Sequence, residues 1–465
     1  MKDRKKARAA DCAPLQIGDV IEGAVSGISH EGMGVVRHGG NVVFVKNALP
    51  DEAIRLLVES KRRGVFFGTA LDILTESQLR AEPECKLFGN CGGCALQHCS
   101  YSGQLQLKGE IVKNALLRIG KLGDISNLVR PIIGMAEPWH YRNKGVFRVS
   151  RNDEGGICLG FVEEGSHRVA AGRCSLLFPR EVNCLLDQLE STLAEDEYDK
   201  SAAALTKVMV RRSQYNGEMM LILMIQAEAA DEWLKAQMES LWQRLRAAIP
   251  GLKVFGCSID HGEINPIYDN LTFFSEAQTI TERLGGVRYA VSPVSFFQVN
   301  PQQAAQMLSY IRGLIPEGTG QIIDAYSGIG TIGLALAEAA QRVECIEVVP
   351  QAVADAEANC RLNSLNNVSC HCGRAEELFC RVAENCKGSG RLVVIDPPRK
   401  GCHRELLQGI LDFASEHVIY VSCNPATLAR DLAILSERYQ VLSVQPFDMF
   451  PQSYHVETVV MLGRK

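Results

Sequence analysis

From about residue 290 onward, short apolar runs alternate with helical stretches, and few architectures accept that rhythm. Gln321-Ile-Ile-Asp-Ala reads as a strand, Ser327-Gly-Ile-Gly-Thr-Ile-Gly333 as a loop, and Leu334 to Ala340 as a helix. Strand Arg342 to Val348, helix Ala352 to Leu362, strand Leu392 to Asp396, helix Arg404 to Ala414 and strand His417 to Cys423 continue the alternation. Strands separated by helices pair in parallel and bury both faces. The expected fold class is therefore α/β, with a doubly wound parallel sheet over residues 291–465.

The rest of the chain reads differently. Five short β-runs broken by glycine lie between Ile17 and about Leu74, a pattern that closes into a small barrel of OB type over residues 15–74. Before it, residues 1–14 form a basic tail with Lys2, Arg4, Lys5, Lys6 and Arg8. Residues 75–290 form a mixed α+β region. It holds a cysteine-rich segment, a helix from Tyr101 to about Ile119, and the basic-aromatic run Trp139-His-Tyr-Arg-Asn-Lys144 leading into a strand. No run approaches the roughly 18 consecutive apolar residues of a membrane helix. No apolar segment of a secretory signal follows the basic start, so a cytoplasmic protein is expected. With 49 basic against 54 acidic residues the net charge is −5, and any nucleic-acid surface has to be local.

Gly328, Gly330 and Gly333 form a G-x-G-x-x-G directly after a strand, where backbone can approach a ligand at the strand's carboxyl end. Asp324 ends that strand, and Glu347 ends the next one, where an acid can accept both hydroxyls of a ribose. The fingerprint suits NAD. S-adenosylmethionine uses the same kind of sheet without a phosphate, and Asp324 would attract its ammonium and repel a pyrophosphate, which tilts the choice toward the sulfonium cofactor.

Two further strand ends face the same crevice. One is Asp396-Pro-Pro-Arg-Lys-Gly401, whose prolines fix the backbone and present Asp396 in one orientation; the other is Val421-Ser-Cys-Asn-Pro425. Cys423 there is a candidate nucleophile, and a helix starting near Pro425 is expected to lower its pKa. A thiolate beside a methyl donor suits carbon 5 of uracil. That carbon is a poor nucleophile until sulfur adds to carbon 6 and makes it enolate-like; a base must then remove the carbon-5 proton. Glu457, in His455-Val-Glu-Thr, is the candidate base. Ser295-Phe-Phe-Gln-Val-Asn300 offers rings and amides able to read a pyrimidine edge.

Seventeen cysteines without an export signal point to metal, catalytic or buried thiols rather than disulfides. Cys85-x5-Cys91-Gly-Gly-Cys94 can deliver three thiolates to one metal centre, with Cys99 or Cys174 as the fourth. An iron–sulfur cluster and a structural zinc both remain open on spacing, although the uneven intervals fit zinc knuckles less well.

Taken together, the barrel, Cys85/Cys91/Cys94, Ser295-Phe-Phe-Gln-Val-Asn300, Asp324-Ala-Tyr-Ser-Gly-Ile-Gly330, Asp396-Pro-Pro-Arg-Lys-Gly401, Ser422-Cys-Asn-Pro425 and His455-Val-Glu-Thr458 resemble the RNA uracil-5-methyltransferase family over nearly the whole chain. The resemblance implies a Rossmann-like class I methyltransferase domain, a TRAM-type barrel and a central iron–sulfur domain. It implies S-adenosylmethionine and a [4Fe–4S] cluster as cofactors, with Cys174 as fourth ligand beside Cys85, Cys91 and Cys94. It makes Cys423 the nucleophile and Glu457 the proton acceptor, and places Gln298, Tyr326, Glu347 and Asp396 around methyl donor and uracil. The expected partner is RNA, 23S rRNA ahead of tRNA, with no membrane and no obligate protein partner. Lys46, Arg62, Arg142 and Lys144 are the candidate RNA contacts.

Overall fold

The structure is a computed structural model and describes residues 14–123, 125–151, 156–163, 165–166, 168–170, 172, 174, 176–226, 232–262, 269–386 and 388–465. The basic tail lies outside these residues up to position 13. The chain divides into two compact units.

One unit runs through Glu84 and adds Ala95–Leu107 and Gln452–Tyr454. Its strands β1 (Val20–Ile28), β2 (Gly34–His38), β3 (Asn41–Lys46), β4 (Ala53–Arg62) and β5 (Val65–Thr75) close into a barrel in the order β1-β2-β3-β5-β4. Only β3 and β5 pair in parallel. Alternate residues point inward, as a period of two requires: Val43 and Val45 on β3, and Ile54, Leu56 and Val58 on β4, are all fully buried. Closure pairs β4 back to β1 from Val20↔Leu57 to Ala24↔Ala53 and so removes the sheet edges.

The other unit holds Cys85–Cys94, Lys108–Pro451 and His455–Lys465. After helix α1 (Tyr101–Ala115) come β6 (Lys144–Arg151), β7 (Ile157–Gly160), α2 (Arg180–Leu193), α3 (Asp199–Ala204), β8 (Leu205–Arg212), β9 (Met219–Gln226), α4 (Glu232–Ala248), β10 (Leu252–Asp260) and β11 (Asp269–Phe273). These strands form a mixed sheet in the order β11-β10-β9-β8-β6-β7. Helix α2 buries Val182, Leu185, Leu186, Leu189 and Leu193, one stripe at helical spacing. A hairpin of β12 (Ile280–Leu284) and β13 (Val287–Val291) and helix α5 (Pro301–Leu314) lead into the second sheet.

That sheet alternates β14 (Gln321–Ala325), α6 (Thr331–Ala335), β15 (Arg342–Glu347), α7 (Pro350–Leu362), β16 (Val368–Cys372), α8 (Ala375–Glu384), β17 (Arg391–Ile395), α9 (Arg404–Phe413), β18 (His417–Ser422) and α10 (Pro425–Leu435), then ends in β19 (Tyr439–Phe447) and β20 (Glu457–Arg464). The order is β16-β15-β14-β17-β18-β20-β19. To the doubly wound parallel sheet expected from the sequence the structure adds one reversed strand: β20 inserts between β18 and β19 and runs antiparallel to both. No helix separates β19 from β20, and only an antiparallel return can be made without a crossover. The helix expected from Leu334 to Ala340 also shifts. It starts at Thr331, because Gly330 (φ +81°) takes the left-handed turn that opens it, and it tightens to a 3₁₀ turn at Ala337–Ala339. Among the described residues no helix is long and apolar enough to cross a membrane.

Candidate active site

The carboxyl ends of β14, β15, β17 and β18 and the first residue of β20 converge on a cavity of about 730 Å³, large enough for a nucleoside-sized ligand. Gln298, Tyr326, Glu347, Asp396, Cys423 and Glu457, all singled out from the sequence, line it together.

Its cofactor wall is built by the glycine loop. Asp324 is fully buried and its Oδ2 accepts the Gly333 N–H at 2.7 Å, tying the strand to the start of α6. A Cβ at Gly333 would lie 2.8 Å from that oxygen and 2.7 Å from Cys345 Sγ, so only glycine lets helix and strand close to this distance. Glu347 spans the next turn, Oε2 accepting from Gly328 N–H at 2.9 Å and Oε1 from Val349 N–H at 2.8 Å. Tyr326 stands between them at φ +64°, a conformation a non-glycine residue holds only when its surroundings enforce it. Asp324 Oδ1 is buried with no hydrogen-bond partner among the described residues, which leaves one acceptor aimed at this wall unsatisfied. Burial above all pushes the Asp324 carboxyl up to about 8, with the charges of Asp396 and Glu347 adding to it and the Gly333 N–H opposing.

The chemical wall owes its shape to the antiparallel strand. Ser422 on β18 pairs with Thr458 on β20. The next position along the ladder puts Cys423 beside Glu457, although the two are far apart in sequence. Cys423 is half-buried, and Glu457 is only 7% exposed with its Oε1 unpartnered among the described residues. Helix α10 does begin here, with Asn424 Oδ1 capping it from Ala426 N–H at 3.0 Å. The expected lowering of the Cys423 pKa is nevertheless overturned. Burial, then the charges of Glu457 and Asp396, push the thiol up to about 12, and the Arg399 guanidinium and the helix start do not outweigh them. Burial also pushes Asp396 up to about 7, and Glu457 well above the carboxylate range, where the nearby charge of Asp396 adds to it.

Among the other cavity residues that had no role of their own from sequence, Arg399 and His455 lay inside quoted motifs, and Phe450, Glu376 and His403 did not. Arg399 donates toward His455 Nε2 at 3.2 Å, and burial followed by the charges of Arg399, Lys108 and Arg142 holds His455 near 4, so its ring is neutral at pH 7. Phe450 packs edge-on against His455 at 5.8 Å. Glu376 and His403 line the cofactor side, with no sequence signal beyond following strand ends. The adjacent phenylalanines part company: Phe297 is 1% exposed and stacks edge-on against Tyr289 in the core, while Phe296 is 66% exposed at the cavity rim.

The cysteine site belongs to the same unit. Gly92 N–H bonds to Val162 O at 3.0 Å, and Cys91 pairs with Glu163, so the 85–94 loop is laid against the chain that leads to Cys174. Burial, and then the charges of Cys85 and Cys91, push the Cys174 thiol up to about 11, which places these three sulfurs in one another's field. Cys99 sits elsewhere, 2% exposed against Leu49 and Leu107, and its charged neighbours are Arg80 and Glu52. Among the described residues no three His, Cys, Asp or Glu side chains are placed to ligate a single metal ion.

Segment 140–143 connects the two places. His140 and Arg142 N–H bond to Leu176 O and Leu177 O just beyond Cys174, and Asn143 N–H bonds to Val299 O. Lys144 is half-buried, and desolvation, then the charge of Arg211, lowers its ammonium to about 7. Arg62 stays exposed, its guanidinium 5.8 Å from the Phe67 ring centre.

A family model described as tRNA (uracil-5-)-methyltransferase matches residues 130–465. An uncharacterized RNA methyltransferase of Halalkalibacterium halodurans is 37% identical over 463 residues, spanning 97% of this chain and 99% of its own. One of Bacillus cereus is 35% identical over 463 residues, with 97% and 98% covered. Among solved structures, the tRNA (uracil-54, C5)-methyltransferase of Pyrococcus abyssi, in complex with S-adenosyl-L-homocysteine, superposes with a TM-score of 0.71 at 23% identity, over 95% of this chain and 100% of that one.

Proposed function

The chain belongs to the tRNA (uracil-5-)-methyltransferase family, and on that premise we propose how its cavity methylates carbon 5 of a uridine in RNA. The reaction class and the use of S-adenosylmethionine follow from the family, which removes the NAD-dependent alternative. The observation that carries the mechanism is the meeting of Cys423, Asp396 and Glu457 at one end of a cavity whose other end is the glycine loop. Bound S-adenosylmethionine supplies an electrophilic methyl group. Asp324 and Glu347 hold its cationic and hydroxyl ends; Gln298 orients the uracil edge. As Cys423 sulfur adds to carbon 6, its proton passes to the ionised member of the Asp396–Glu457 pair and from there to solvent, so that Glu457 can stand as a carboxylate for the later step. Carbon 5, now enolate-like, takes the methyl group. Glu457 then removes the carbon-5 proton, the sulfur–carbon bond breaks, and the ring regains its double bond. The target base has to leave its stack to reach this depth, a cost of a few kcal/mol.

We take Cys85, Cys91, Cys94 and Cys174 as ligands of a [4Fe–4S] cluster. The mutual charge influence of Cys174, Cys85 and Cys91 supports Cys174 over Cys99 as fourth ligand. Cys85, Cys91, Cys94 and Cys174 would hold the 85–94 loop and the Cys174 segment to such a cluster; methyl transfer consumes no electrons, so a positioning role is the simpler one. Anaerobically purified protein is expected to be brown, with absorbance near roughly 400 nm and iron and sulfide in equal amounts. The Cys174→Ala variant should lose both while Cys99→Ala keeps them. A colourless protein carrying zinc would overturn this assignment.

For the substrate we favour 23S rRNA, because the resemblance associates the barrel together with the cysteine set with rRNA-modifying members. The tRNA T-loop is the second reading. The fold alone does not separate them, since a tRNA enzyme shares it over 95% of this chain. Mass-spectrometric mapping of 5-methyluridine in cells with and without the gene decides: loss from 23S rRNA is expected. Loss from tRNA alone would establish the second reading, and no loss from either would overturn both.

A further inference from the structure

The strap Ser292–Val299 carries Phe296 and Gln298 into the cavity, yet it is irregular chain between β13 and α5 with no ladder to fix it. It is held by side chains from three directions. From β8, Arg211, 1% exposed, donates to Ser292 O at 3.2 Å and Ser295 O at 2.8 Å. From the segment before β6, Asn143 Nδ2 donates to Gln298 O at 3.0 Å. From α7, Asp355 Oδ2 accepts the hydroxyls of both Ser292, at 3.0 Å, and Ser295, while its Oδ1 accepts from Gln351 at 2.9 Å.

Asp355 is the informative member. It does not line the cavity, so it touches neither ligand. Its helix starts just after Glu347, whose carboxylate also accepts from Val349 N–H, the residue that opens α7. Glu347 thus ends β15 three residues before α7 begins at Pro350, and α7 grips the uracil-reading strap through Asp355, five residues further on. We propose that Asp355 is a positioning residue that sets Gln298 and Phe296 for the target base. The uracil part of this inference rests on the proposed function; the strap-holding part does not.

Asp355→Ala removes the acceptor for both hydroxyls from a half-buried helix position, where alanine is the best helix former. The kcat/KM for RNA should fall by about tenfold or more, since small displacements of a positioning group are costly. Dissociation constants for S-adenosylhomocysteine and the melting temperature should stay near wild type. Asp355→Asn keeps one oxygen for the serines and should restore most of the activity. Ser292→Ala/Ser295→Ala should reproduce the loss and not add to it in the triple variant. Hydrogen exchange gives a readout independent of turnover: the 292–299 amides should exchange faster in Asp355→Ala while those of 321–334 do not. Unchanged exchange in the strap, or a loss of S-adenosylhomocysteine binding in step with activity, would overturn the role. If wild-type protein methylates no uridine while the strap still loosens, the functional reading fails and the clamp stands.

Discussion

Cys423→Ala protein is expected to bind S-adenosylhomocysteine within about threefold of wild type and to lose methyl transfer by on the order of 10⁴-fold or more. The cofactor wall owes its contacts to Asp324, Gly333 and Glu347, none of which the thiol touches through a hydrogen bond. Without sulfur at carbon 6, carbon 5 has no route to enolate character, so the loss falls on the chemical step. RNA bearing 5-fluorouridine sharpens the test. Fluorine cannot leave as a proton does, so wild-type protein should stop as a covalent protein–RNA adduct that survives denaturing electrophoresis. The Cys423→Ala variant should form none. An adduct at another residue, or turnover in the variant, would refute covalent catalysis by this thiol.

Glu457→Gln should separate the two halves of the reaction. The amide can occupy the same buried place but cannot take the carbon-5 proton, so overall turnover should drop by about 10²–10⁴-fold. Here the adduct should accumulate with natural RNA, which wild-type protein releases. A variant that loses activity without any adduct would assign Glu457 to binding instead. The pH dependence of the wild type follows from the same carboxylates. The pair must hold one ionised member to accept a proton, and Asp396 lies near 7, so kcat/KM should fall as pH drops below about 7, with an apparent value that belongs to the pair. Stability should move the other way. A carboxyl whose pKa burial raises favours the folded state while protonated; that contribution is complete below about 4, the ordinary range, and is lost as pH rises through about 7. Asp396→Asn should therefore flatten the decline in melting temperature between about pH 4 and pH 7 while removing activity.

Local spacing made much of this site legible. The glycine loop and its flanking acids lie within one strand–loop–helix–strand run, and Asp396 and Cys423 each end a strand of a repeated unit, so placing them at one edge needed only the alternation rule. The barrel was equally readable, because residues of period two and glycine turns recur at short range. Arg399 and His455 sat inside motifs already in view, but nothing local said that they would face each other. Phe296 and Phe297 were indistinguishable as neighbours in sequence; only packing against Tyr289 put one in the core and left the other at the rim.

The amino-acid sequence by itself determined the chemistry available: a thiol, two carboxylates, a glycine loop and a set of clustered cysteines, each presented by an element whose periodicity is written in its own residues. Tertiary structure alone decided how those groups act on one another. The antiparallel entry of β20 beside β18 brought Glu457 to Cys423, and the enclosure that followed kept the thiol protonated where a helix start by itself would have lowered its pKa. Desolvation likewise lowered the Lys144 ammonium, and folding put Cys174 rather than Cys99 in the field of Cys85 and Cys91. The physical reason is range: strand and loop preferences act over a few residues, whereas desolvation and Coulomb interactions depend on groups tens of residues away that only the folded chain brings near.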